Sequence, residues 1–139
     1  MKVLLIDELG AMLDFSLRCM AEGHDVRLYV AHLKNGDRSE VGDGLVKRIE
    51  NWRSSMKWAD LIITSDNCKI TKQLEPFRKG GFPIFGPNSE TADWEIIRDK
   101  GIEIFNACGI PTIPSVKFEK PSEAIAFVRR RPPRMAIGL

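Results

Sequence analysis

Hydrophobic positions along the chain follow two alternating rhythms. Residues 2–6, KVLLI, form a continuous apolar, β-rich run of the kind buried on both faces of a parallel sheet. In AMLDFSLRCMAEGH, residues 11–24, Met12, Phe15 and Cys19, and then Leu13, Leu17 and Met20, recur at three- and four-residue spacing. Asp14 and Arg18 fall together on the other side, so the spacing predicts an amphipathic helix, ended by Gly23 in the usual C-terminal glycine position. In DVRLYVA, Val26, Leu28 and Val30 alternate with Arg27 and Tyr29, which predicts a second strand. Strand, helix and strand within roughly thirty residues make a βαβ unit with a right-handed crossover.

The pattern continues in the same alternation. Residues 34–44, KNGDRSEVGDG, carry glycine and charge and form a loop, and LVKRIENWRSSMKW predicts a helix with Leu45, Ile49 and Trp52 on one face. ADLIITSDN is a third strand that stops at small polar residues, and CKITKQLEPFRKGG is a helix that Pro76 bends or shortens. FPIFGPN is a fourth strand, near an edge or starting at Ile84, because Pro83 cannot donate to a ladder. SETADWEIIRDKGIEIFNACG is helical with an interruption near Gly101, IPTIPSVKF is extended, and KPSEAIAFVRR is a short helix with Pro121 in its first turn. The order β-α-β-α-β-α-β-α-α-β-α predicts an α/β fold: a Rossmann-like, doubly wound parallel sheet with a short C-terminal extension.

Composition narrows the class of partner. A chain of 139 residues with 43% apolar content has enough material for one domain with a real core. Its 21 basic and 19 acidic residues, net +2, are too balanced for a nucleic-acid binder, and Arg129, Arg130, Arg131 and Arg134 read as a solvated tail. Cys19, Cys68 and Cys108 are odd in number and lack C-x-x-C spacing, which fits reduced thiols. His24 and His32 share no ligand spacing with a cysteine or carboxylate cluster, so no metal site is expected. The apolar start of MKVLLIDELG is too short for a signal peptide or a bilayer span. A cytoplasmic protein without a membrane or nucleic-acid partner is the expectation.

Candidate chemistry gathers where the strands end, in IDELGAM, ITSDN and FGPNSE, because parallel strands bring their C-terminal ends to one rim. Gly10 is the single glycine where a dinucleotide-binding turn needs G-x-G-x-x-G, and Asp7 and Glu8 would repel a pyrophosphate there. Gly10 therefore serves a tight turn or a ligand. Ser65, Asp66 and Asn67 suit both a helix N-cap and a ligand contact, and so do Gly86, Pro87 and Asn88, with Ser89 as a good cap. No G-x-S-x-G surrounds a serine, and no catalytic residue is assigned. Two alternatives are a non-catalytic nucleotide- or phosphate-binding module and a receiver-like signalling domain. The latter would use the acidic pair Asp7 and Glu8, with Asp66 and Ser89.

The stretch IFGPNSETADWEIIRDKGIEIFNACGIPTIPS resembles phosphoribosylamine–glycine ligase (glycinamide ribonucleotide synthetase), of the ATP-grasp superfamily. The likeness rests on Gly86-Pro87, on Ile110-Pro111-Thr112, and on the ungapped spacing between Glu95 and that triplet; it covers residues 58–128 well and 1–57 in outline. It implies a pre-ATP-grasp domain at 1–88 and the opening of the ATP-grasp portion at 89–139. It also implies ATP with magnesium as cofactors, and phosphoribosylamine-like and glycine-like substrates. Gly10, Ser65, Asp66, Gly86 and Pro87 would lie at the substrate, and Arg98, where the family carries a lysine, at the phosphates of ATP. The chain departs from the family in DELGAM for its glycine-rich first turn and in Ser65-Asp66-Asn67 for its Gly-Pro-Glu. It reads RMAIGL where the family's next strand carries an ATP-holding lysine. The magnesium carboxylates of the family have no counterpart in these residues, so the chain alone is expected to be inactive as a ligase.

Overall fold

The computed structural model describes residues 1–65 and 69–130. Strands β1 (Lys2–Asp7), β2 (Asp25–Val30), β3 (Lys47–Arg48), β4 (Leu61–Thr64) and β5 (Ile84–Phe85) form one parallel sheet in the order β3-β2-β1-β4-β5. The helices are α1 (Leu13–Ala21), α2 (Lys69–Lys79), α3 (Ser89–Ile96), α4 (Arg98–Ala107) and α5 (Pro121–Arg129), with a 3-10 helix at Trp52–Trp58.

β1 explains why the sheet is covered on both faces. Its alternate side chains point opposite ways, and all from Val3 to Asp7 are buried. Val3 and Leu5 join Met12 and Cys19 beside Val26, Leu28 and Val46. Leu4 and Ile6 join Trp52, Met56, Ile62, Ile70 and Leu74. One half of the core thus sits under α1 and the other under the 3-10 helix and α2. This is the expected Rossmann-like, doubly wound α/β fold.

Several elements differ from the sequence pattern, each for a local reason. The expected helix over residues 45–58 is a strand followed by a 3-10 helix. Lys47 and Arg48 pair with Arg27 and Leu28, and the Asn51 side chain then accepts the Arg53 N–H to start a new element. Trp52 and Met56 are buried, whereas Leu45 is exposed. α2 runs past Pro76 to Lys79, so the proline does not shorten it. The break expected near Gly101 lies at Ile97, and Gly101 is inside α4, where any side chain would meet the Trp94 carbonyl. IPTIPSVKF forms no strand, since Pro111 and Pro114 have no N–H to give a ladder.

Contacts divide the chain into two compact units, Met1–Ile104 and Phe105–Leu139. Within the second, the Phe118 and Phe127 rings lie 5.1 Å apart and the Ile110 N–H closes onto the Phe105 carbonyl. α5 buries none of its residues, and Ile113 is 88% exposed. Arg131 and Arg134 lie outside the described residues. No helix among the described residues is long and apolar enough to cross a membrane.

The loop after β2 is held by charge. Arg38 donates to Asp43 at 2.7 Å and to Glu50 at 2.7 Å, and Arg48 donates to the carbonyls of Ser39 and Val41. Hydrogen bonding from Arg38 holds both carboxyl groups below their ordinary values. A depressed folded-state value means a contribution present above the ordinary carboxylate range of about 4 and lost as pH falls through the lower folded values. Arg38→Gln should move both carboxyl titrations upward in a carbon-detected NMR pH series and remove the acid-dependent loosening of this loop. Unmoved titrations would show that Arg38 does not hold the two acids.

Candidate functional site

Because all five strands are parallel, β1, β4 and β5 end on one rim. The chain leaves β1 toward β2 and β3 on one side, then crosses to β4 and β5 on the other, so the switch point lies between β1 and β4. Register pairs Ile6 with Thr64 and Ile63 with Phe85, which brings the residues after these strands side by side.

At the switch point stands Asp7, with no exposed surface. Its Oδ1 accepts the N–H of Leu9 at 3.0 Å, the N–H of Gly10 at 2.9 Å and the hydroxyl of Ser65 at 2.9 Å. Its Oδ2 accepts the Met12 N–H at 2.7 Å. α1 has no side-chain cap of its own, and Asp7 takes that place. Next to it, Glu8 Oε1 accepts the Ile70 N–H in the first turn of α2 at 2.7 Å. Opposite charge at a helix N-terminus is favourable, so both acids sit where the helix dipoles want them.

The second half of the rim is built by α2. Arg78 donates to the carbonyls of Ile84 at 3.0 Å, Gly86 at 2.9 Å and Pro87 at 2.8 Å. Glu75, one turn earlier, accepts the Ser89 N–H at 2.8 Å. Gly86 has φ +141°, and any side chain there would strike Thr64 Oγ1. β5 therefore stops after two residues because the chain must turn its carbonyls onto one guanidinium, through a backbone shape open to glycine. α3 then starts with a capping box between Asn88 and Thr91; Ser89, the expected cap, is the first helical residue.

Gly10, Ser65, Gly86 and Pro87 thus share one rim: Gly10 and Ser65 meet on the same oxygen of Asp7, and Gly86 packs on Thr64, one residue before Ser65. Asp66, with Asn67 and the cap expected there, lies outside the described residues. Arg98 opens α4, beyond the whole of α3, and is exposed. Asp7, Glu8, Glu75 and Arg78 carry the geometry, although the sequence pattern pointed to the turns themselves. An acid ending an apolar strand, before a helix that lacks a polar cap, is the signal for Asp7. Both carboxylate oxygens of Asp7 already accept hydrogen bonds, three at Oδ1 and one at Oδ2. A groove of about 300 Å³ lined by Met56, Lys57, Ala59, Phe82 and Pro83 lies at the opposite edge, before β4 and β5.

No family model matches the chain, and no curated protein matches it. Among solved structures it is similar to N5-carboxyaminoimidazole ribonucleotide synthetase from Thermotoga maritima, at 17% identity and a TM-score of 0.60. The likeness covers 93% of this chain and 36% of that one, so the chain spans about a third of the synthetase's length. At this identity it is a likeness of fold.

Two substitutions test the rim. Asp7→Asn leaves one acceptor oxygen for four donors and aims an amide donor at others, orphaning at least one buried group at about 1–3 kcal/mol. Gly86→Ala forces a strained backbone and a clash with Thr64, at about 1–3 kcal/mol. Each should lower Tm by several degrees in a circular dichroism melt, at roughly 2–8 °C per kcal/mol across domains of about 60–250 residues. An unchanged Tm in Asp7→Asn would remove the carboxylate as the brace of the rim.

Proposed function

We propose that the chain is the N-terminal, Rossmann-like part of an ATP-grasp carboxylate–amine ligase of purine biosynthesis, of the phosphoribosylamine–glycine ligase type. The observation that carries this is the fold likeness, extending over 93% of the chain, to a ribonucleotide synthetase. Residues 1–88 are then the pre-ATP-grasp module and 89–139 the opening of the ATP-grasp portion. The Gly86-Pro87 turn and the Ile110-Pro111-Thr112 triplet, which resemble the ligase, support the finer assignment.

The second unit supports it from a different direction. Phe105, Ile110, Ile113, Val116 and Ile125 are about half exposed or more. Such a surface calls for another apolar surface, as the opening of a larger lobe would. ATP with magnesium, when bound in such an enzyme, turns a carboxylate into an acyl phosphate that an amine can attack. Toward that group this chain offers Arg98, an exposed guanidinium suited to a phosphate. We expect no ligation by the chain alone.

An ATP-grasp lobe of a phosphoribosylamine–glycine ligase, supplied in trans, should bind the chain in sedimentation and protect the amides of residues 105–128 from hydrogen exchange. MgATP alone should shift the melt by less than a degree, against about 2.7 kcal/mol of stabilisation for a ligand at a hundred times its Kd. Failure of the lobe to bind, with a melting shift of several degrees in MgATP, would overturn the ligase-domain reading in favour of a free-standing nucleotide-binding module.

A further inference from the structure

We infer that the α1 face of the sheet, over β4 and β5, is the seat of one further helix, which lies beside α1 and belongs to another lobe of the ligase; this rests on the ligase reading above. One row of paired residues crosses that face, with Leu28 on β2, Leu5 on β1, Ile63 on β4 and Phe85 on β5. Leu28 and Leu5 are wholly buried, Ile63 is partly buried and Phe85 is 70% exposed. Cover thus runs out along the row as it leaves α1. Leu61, paired with Val3, is the other partly buried residue of β4 on this side. On the opposite face the row Leu4, Ile62 and Ile84 stays packed, against Ile70 and Leu74 of α2.

A parallel sheet is covered by helices on both faces, so an aromatic ring standing out from one face marks missing cover. α1 borders the space. Its Leu13 lies toward Val46 and Leu28, since all three crowd the Cβ position of Gly42. Phe15, about 200° further round the helix, falls on the β4 side and is 44% exposed. Two strands at about 4.8 Å each span roughly the 8–10 Å between packed helices, so the space is one helix wide. Its size also selects the occupant. Phe85 and Phe15 together leave about one aromatic side chain of free surface, roughly 200 Å². A stable interface takes about 800 Å² from each partner, so a second copy seated here alone would not hold. A helix of a lobe already attached elsewhere needs no such area, because attachment supplies a high local concentration. That helix would set apolar side chains on Ile63 and Phe85 and polar ones toward Arg18 and Glu22, which pair on the exposed side of α1.

The test mixes the full chain with the ATP-grasp lobe of a phosphoribosylamine–glycine ligase, with affinity read by sedimentation and the Ile63 methyl and Phe85 ring signals by NMR. The parent should bind, with saturable shifts at both residues. Phe85→Glu and Phe15→Glu, at exposed positions, should keep the parent's circular dichroism melt and each weaken binding about tenfold or more. Leu45→Glu, exposed beside β3 at the other edge of the sheet, should bind as the parent does. Should Phe85→Glu fail to fold, Phe15→Glu decides in its place. Parent affinity in Phe85→Glu, or an equal loss in Leu45→Glu, would overturn the inference and leave the ligase reading standing. A parent chain that does not bind the lobe would overturn both.

Discussion

The carboxylate of Asp7 is the interaction on which the sheet's functional rim depends. A buried charge is tolerated where hydrogen bonds replace the water it has lost, and four donors converge on these two oxygens. Those donors come from the turn after β1, from the start of α1 and from the end of β4. One side chain therefore joins the two strands at the switch point and starts the first helix. Without it, three backbone N–H groups would need another acceptor, and Ser65 would lose its tie to β1.

α2 extends this organisation to the far edge. Its first turn is tied to Glu8, and its Glu75 and Arg78, on neighbouring positions of one face, hold the turn between β5 and α3. Ile70 and Leu74 bury the other side of the same helix against Leu4, Ile6 and Ile62. The helix is thus fixed by apolar packing beneath and by polar contacts at both ends of the rim. Among the described residues, several buried side-chain atoms have no hydrogen-bond partner, Arg78 Nε, Thr64 Oγ1 and Thr71 Oγ1 among them. Two of them, Thr64 Oγ1 and Arg78 Nε, belong to the residues that shape the Gly86 turn, so close approach there is favoured over complete hydrogen bonding.

The hydrophobic pattern made most of the fold legible. KVLLI, DVRLYV and LIIT are apolar enough to declare buried parallel strands, and the α1 spacing declares its inner face at Met12 and Cys19. The segment 45–58 was misleading because Leu45, Ile49 and Trp52 fall at helical spacing, although of the three only Trp52 is buried. Pairing of Lys47 and Arg48 with β2 depends on long-range contacts that no local window contains. The candidate site was legible in outline only. Glycine and small polar residues mark where the strands stop, but Val41 reaches Gly10 from about thirty residues away, and Arg78 finds its three carbonyls through the fold.

A glycine at the end of a parallel strand has two uses that sequence cannot separate. It lets a ligand approach the backbone, or it lets the protein approach itself. Gly10 at φ +81° and Gly86 at φ +141° both need glycine for conformation alone, whichever use applies. What decides between them is the occupant of the missing Cβ, and here both occupants are side chains of the same unit. The acids follow the same logic. Asp7 and Glu8 are hostile to a phosphate as free charges, yet as ligands of helix N–H groups they do a phosphate's work in organising the turns. At this rim the N–H groups of Leu9, Gly10, Met12, Ile70 and Ser89 are taken by carboxylates of the chain itself.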